Sequence, residues 1–156
     1  MNTASVKDIK VELKNKTPQE LTELILLLAR SKKENKELLT YKLFESWNEA
    51  SYVMSIKAFI EKEFNEINTK TYYLIKKNIR KILKNVKKYI RYSKNKETEI
   101  ELIIYFCHRL KKFQPYYRRS TVLHNLLFRE KNSLMKKVEK LHPDLIYDYE
   151  KEIENL

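Results

Sequence analysis

Eleven cations fall within thirty consecutive residues that hold no acid: Lys70, Lys76, Lys77, Arg80, Lys81, Lys84, Lys87, Lys88, Arg91, Lys94 and Lys96 lie between Glu66 and Glu97. The remainder of the chain carries 22 basic and 21 acidic residues, so nearly all of the net charge of +12 belongs to this block. The chemistry open to it is anion binding. At 100° per residue, Ile75, Ile79, Ile82, Leu83, Val86 and Ile90 trace one apolar stripe of a helix from about Thr71 to Ser93, and the cations fill an adjoining arc of roughly 140°. Like charges three and four residues apart repel, so this face costs the isolated helix stability. One reading makes Lys77, Arg80, Lys81, Lys84, Lys87, Lys88 and Arg91 a contact surface about 35 Å long for a nucleic-acid backbone or an acidic protein. The competing reading is a solvated face, or one neutralised by Glu97, Glu99 and Glu101 or by the acidic C-terminus. Membrane-surface binding is disfavoured, because the apolar stripe of the same helix is needed for the core.

A second acid-free stretch, Leu102 to Arg129, places Arg109, Lys111, Lys112, Arg118, Arg119 and Arg129 beside Phe113, Tyr116 and Tyr117. Cations interleaved with aromatics suit stacking on unpaired bases, which makes Arg109, Lys112, Tyr116, Tyr117, Arg118 and Arg119 a secondary candidate surface. Tyrosines at a bend, such as the one Pro115 implies, also pack against neighbouring helices. The acids Asp144, Asp148 and Glu152 recur every four residues and line one face of a C-terminal helix, either as a solvated face or as a docking surface for the basic helix. If basic and acidic faces meet between molecules, the chain forms a homo-oligomer.

The other chemistry-bearing residues do not assemble into a catalytic pattern. His108, His124 and His142 lack a second ligand at the helical i, i+4 spacing, and Cys107 has no Cys-x-x-Cys partner, so no metal site and no cofactor are expected. Cys107 lies in the apolar run Leu102 to Cys107, where a thiol behaves as a small hydrophobe. Not one of the 156 residues is glycine. Phosphate-binding loops, dinucleotide fingerprints and nucleophile elbows all need that residue where backbone meets ligand, so an enzyme of those classes is not expected.

The elements that must carry these residues read as an all-α single domain over residues 1–156, with seven to eight antiparallel amphipathic helices forming a compact bundle or a short armadillo- or HEAT-like stack. Ser5 with Asp8 three residues on caps a first helix to about Asn15, with Val6, Ile9 and Leu13 on its apolar face. Thr17, Pro18 and Glu20 open a second, whose face is Leu21, Leu24, Ile25, Leu28 and Ala29; the two are expected to form a hairpin. A third, about Glu34 to Ala50, brings Leu38, Tyr41, Leu43 or Phe44, and Trp47 toward a core. A fourth, about Tyr52 to Ile67, adds Ile56, Phe59, Ile60, Phe64 and Ile67. After the basic helix comes one that is apolar almost all round, with Ile100, Leu102, Ile103, Ile104, Tyr105, Phe106, Cys107 and Leu110, as expected of a central buried helix. A seventh, about Ser120 to Leu141, and an eighth, from Asp144, complete the chain.

The segments Val6 to Leu28 (VKDIKVELKNKTPQELTELILLL), Lys88 to Ser93 (KYIRYS), Thr98 to Cys107 (TEIELIIYFC) and Leu141 to Tyr149 (LHPDLIYDY) resemble a family of small all-helical bacterial proteins of unknown function. The resemblance implies one full-length helical domain in a bacterial cytoplasm and brings no catalytic role to any position. A cytoplasmic location is also the expectation from Met1 to Lys10, where polar, charged and apolar residues alternate without a signal-like apolar run.

Overall fold

The computed structural model of the chain describes residues 2–156, and its described residues contain eight α-helices and no strand. They are α1 (Val6–Lys14), α2 (Pro18–Ser31), α3 (Lys33–Thr40), α4 (Glu49–Asn65), α5 (Tyr72–Ser93), α6 (Lys96–Lys111), α7 (Thr121–Val138) and α8 (Pro143–Glu154). The all-α expectation holds. The chain divides into two compact units, Met1–Phe44 and Glu45–Leu156.

In the first unit, local signals set the helix starts. Ser5 and Thr17 each accept a hydrogen bond from the backbone N–H three residues on, and the side chains of Asp8 and Glu20 reach back to the cap backbone, so both capping boxes are complete. The Thr17 backbone N–H donates to Glu20 at 2.8 Å, and this bond, with the Thr17 hydroxyl and Lys16, holds the Glu20 carboxyl below its ordinary pKa. Packing departs from the expectation. The close helix pair in this unit is α2 with α3, not a hairpin of α1 with α2. No residue of α1, α2 or α3 is buried, and the face expected to be covered stays open at Leu24, Ile25 and Leu28. Short helices with few neighbours cannot remove an apolar stripe from water by themselves.

The expected third helix is also divided. After α3 a single π-helical turn, Tyr41–Glu45, widens the backbone, and Asn48 starts α4 by accepting from the Ser51 N–H at 3.0 Å. Tyr41 is buried, whereas Leu38, Leu43, Phe44 and Trp47 are exposed.

The second unit is built around α6. It packs against α4, α5 and α7, while α4 also packs on α5 and α8 packs on α7. A helix with three helical neighbours must be apolar on most of its circumference, and Ile100, Leu102, Ile103, Ile104, Phe106, Cys107 and Leu110 are all buried. From α5 the whole stripe of Ile75, Ile79, Ile82, Leu83, Val86 and Ile90 is buried, and from α4 Ile56, Ile60 and Phe64. Glu49 fastens one end of the unit: its carboxylate accepts from Ser93 at the end of α5 and from Thr98 in α6, the latter at 2.7 Å. Lys94 closes α5 in the left-handed region, with φ 60°, and its N–H donates to the Ile90 carbonyl at 3.0 Å. Glycine is the usual residue there, since a side chain in that conformation costs about 1–2 kcal/mol.

Two outcomes follow for stability. Ile79→Ala, which empties a fully buried position on α5, is expected to cost about 2–5 kcal/mol in urea unfolding. Lys94→Gly is expected to stabilise by roughly 0.5–1 kcal/mol, the relieved left-handed strain exceeding the added chain entropy. A destabilised Lys94→Gly variant would show that the lysine side chain contributes more than its backbone conformation costs.

Candidate anion-binding surface

Thr71 sets the start of α5 by accepting from the Leu74 N–H at 3.2 Å, and the first turn carries no acid to complement the positive end of the helix dipole. With the apolar stripe committed to α4 and α6, the geometry of a helix sends the cations to the opposite arc. Lys77, Arg80, Lys81, Lys84, Lys87 and Arg91 are exposed, and Lys76 and Lys88 are half-buried. Two shallow grooves run along this arc and share Arg80. One, of about 360 Å³, is lined by Arg80, Leu83, Lys84, Lys87 and Arg91. The other, of about 270 Å³, is lined by Tyr73, Lys76, Lys77 and Arg80. From Tyr73 to Arg91 the surface extends about 27 Å at the rise of a helix.

Of the acids that were expected to neutralise this arc, Glu99 and Glu101 are engaged elsewhere, and among the described residues none of the expected acids forms an ion pair with α5. Glu99 accepts from Lys137 at 2.6 Å and Glu101 from Lys57 at 2.5 Å, both away from α5. The acidic helix α8 packs on α7, and its Glu152 lies 4.0 Å from His108. Among the described residues, Lys77, Arg80, Lys81, Lys84 and Arg91 form no ion pair with any carboxylate. Two members of the candidate set do have partners within the protein. Lys88 sits over the Tyr89 ring at 4.9 Å. Lys87 donates to Glu130 of α7 at 2.7 Å.

Glu130 was not foreseen as part of this region. It is 7% exposed and occupies the apolar stripe of α7 between Leu126, Leu127 and Leu134, so its charge depends on Lys87 for compensation. The signal was present in its register, which follows the buried positions at helical spacing. Tyr73 was also missed. It is 69% exposed and lines the groove at the N-terminal end of the arc.

The secondary candidate surface separates into two groups. Arg109 donates through Nε to Glu61 and through Nη2 to Asn65, each at 2.8 Å, and lies over the Phe64 ring, so it ties α6 to α4. Tyr116 packs against Phe113 and Tyr72, and Tyr117 lies on His124 with ring centroids 4.4 Å apart. Lys112, Arg118 and Arg119 are exposed. The structure therefore brings the tyrosines into ring contacts at the helix junction and leaves three cations of this group in solvent.

The histidines have separate local roles: His142 caps α8, His124 meets Tyr117 and His108 faces Glu152. Among the described residues no group of three or more His, Cys, Asp or Glu side chains is placed to hold a metal ion. No described helix is long and apolar enough to cross a membrane. Comparison with known protein families, curated proteins and solved structures returns no match.

Cys107 lies behind the basic face, and burial, reinforced by the Glu130 charge, pushes its thiol up to about 12. At pH 8 the folded protein is expected to react with a maleimide orders of magnitude more slowly than the urea-unfolded chain, because the thiolate is the nucleophile. The folded thiol titrates above the unfolded one, whose ordinary value is about 8.5, so its contribution to stability is complete below that pH and declines as pH rises toward 12. Urea unfolding from pH 8 to pH 11 should thus show a decline that Cys107→Ala reduces. Equal alkylation rates in folded and unfolded protein would contradict the buried placement.

Proposed function

We propose that the protein is a nucleic-acid-binding module whose α5 arc contacts the phosphate backbone. The observation that carries this reading is the set of five exposed cations, Lys77, Arg80, Lys81, Lys84 and Arg91, on one face of one helix and, among the described residues, without carboxylate partners of their own. A protein that needed these charges only for solubility gains nothing from concentrating them, and repulsion between neighbours at i, i+3 and i, i+4 opposes doing so. An array of external phosphates relieves that repulsion and releases counterions. The unoffset positive end of the α5 dipole adds to the attraction near Lys76 and Lys77.

Tyr73 favours a single strand over a duplex. A tyrosine exposed beside Lys76, Lys77 and Arg80 offers a face for an unpaired base while the cations follow the backbone. An acidic protein partner is served by the cations but has no use for that stacking face.

Fluorescence anisotropy with a labelled single-stranded oligonucleotide checks the proposal. Binding to single strands is expected to lose affinity with salt, at a logarithmic slope of up to about 3.5 for five contacts, and to vary little with base sequence. Reversing Arg80, Lys81 and Lys84 to Glu should lower that slope by about 2 and weaken binding, while Tyr73→Ala should cost roughly 1–3 kcal/mol on single strands and little on duplexes. Circular dichroism should report unchanged helicity in each variant. Affinity and slope unaltered by the triple reversal would remove α5 as the contact surface. Capture of an acidic protein that survives nuclease treatment, with no oligonucleotide binding, would replace nucleic acid as the partner.

A further inference from the structure

The first unit carries an apolar face that the cationic surface does not explain. Every residue from Leu24 to Leu28 is exposed, between 40% and 64%, and Val6, Ile9 and Leu13 of α1 are exposed as well. Five consecutive exposed aliphatic side chains are far more than the scattered apolar residues normal on a surface. Leu21 and Ala29 of α2 are half-buried, and α3 is the helix packed closely against it. The face turned away from them forms a groove of about 430 Å³ lined by Lys16, Glu20, Glu23, Leu24, Leu27 and Arg30.

The charges bordering this groove identify its occupant. Glu23 and Arg30 stand seven residues apart, two turns, so they share one flank of α2, with Leu24 and Leu27 beside them. Among the described residues Glu23 accepts only a long hydrogen bond from Gln19, at 3.5 Å, and Arg30 pairs with no carboxylate. Two copies of α2 laid antiparallel about a two-fold axis present the same flank to each other. With the axis between Leu26 and Leu27, residue 23 of each copy stands opposite residue 30 of the other. Both Glu23–Arg30 pairs then form at once, with Leu24 and Leu27 of the two copies interleaved between them. A parallel arrangement would instead set Glu23 against Glu23. The pattern is therefore self-complementary in one orientation, as an isologous contact requires.

We propose that the α2 face is a homodimer interface, formed by antiparallel docking of a second copy of this chain through Leu24 and Leu27 with reciprocal Glu23–Arg30 pairs. The pairs set direction and register, and the leucines supply most of the attraction.

Sedimentation velocity of the full chain over a range of concentrations tests it. The expected result is a dimer that dissociates on dilution and becomes monomeric in Leu24→Glu/Leu27→Glu. Glu23→Arg or Arg30→Glu alone should each weaken association by roughly tenfold, since two equivalent pairs turn repulsive. Combining Glu23→Arg with Arg30→Glu should restore it, which a misfolded variant could not do. These charge variants lie on the surface, and circular dichroism should show them as helical as the parent. A chain that stays monomeric at every concentration reached overturns the proposal, and so does one whose Leu24 face is covered by another part of the same chain or by a different protein. A dimer indifferent to Leu24→Glu/Leu27→Glu, or one that the combined swap does not restore, overturns it equally.

Discussion

Burial of α6 on three sides is the constraint from which the second unit follows. A helix apolar over most of its surface has no stable place in water, so α4, α5 and α7 must each give it a matching stripe. For α5 this commits Ile75 through Ile90 to the interior and leaves no freedom in where its lysines and arginines go. The backbone beneath the cationic surface is thus held chiefly by the hydrophobic effect, with Glu49 and the Lys87–Glu130 pair as polar ties. Burial of a Val- or Ile-sized side chain is worth about 1.5–3 kcal/mol, and six such residues on α5 outweigh repulsions of a few tenths each among its cations.

Acids in this unit are used as ties between helices. Glu49 joins the ends of α5 and α6, Glu61 holds Tyr105 and Arg109, Glu99 holds Lys137 and Glu101 holds Lys57. Glu99 and Glu101, which were expected beside α5, are taken up in this way by cations of α7 and α4. Glu130 is the exception and the more demanding case, because a buried carboxylate without a cation costs several kcal/mol. Lys87 thereby belongs to the fold as much as to the surface. A reversal at that position would confuse loss of contact with loss of stability, which Arg80, Lys81 and Lys84 avoid.

How much could be read from the sequence differs between the two units for a physical reason. In the second unit the apolar residues are dense enough that periodicity and burial coincide: all six stripe residues of α5 and the pattern of α6 end up in the core, except for Tyr105, which is half-buried and donates to Glu61. Capping residues were equally plain, since Ser5–Asp8 and Thr17–Glu20 are interactions within one turn. In the first unit the same periodicity suggested a covered face, yet periodicity says only which residues share a side, not whether anything lies against it. Leu24, Ile25 and Leu28 share a side and remain open. The π-turn at Tyr41–Glu45 was beyond reach because it has no signature in residue type, and Leu43, Phe44 and Trp47, in it or just after it, are exposed. Of the candidate surface, the α5 arc was legible from spacing, whereas the contacts that take up Tyr116, Tyr117 and Arg109 depend on where the fold brings Tyr72, His124, Glu61 and Phe64.

The confinement of unpaired cations to one side of α5 has a kinetic consequence. Charges spread evenly over a surface attract an approaching anion from every direction and give no preferred pose. A one-sided array instead exerts a torque on the incoming molecule within about a Debye length, near 8–10 Å at physiological salt, so it is turned toward the arc before contact. Orientation is what ordinarily holds association far below the diffusion limit. An arc held fixed by Ile75 to Ile90 keeps its charges in register throughout the approach, and so acts on the rate of encounter before any hydrogen bond has formed.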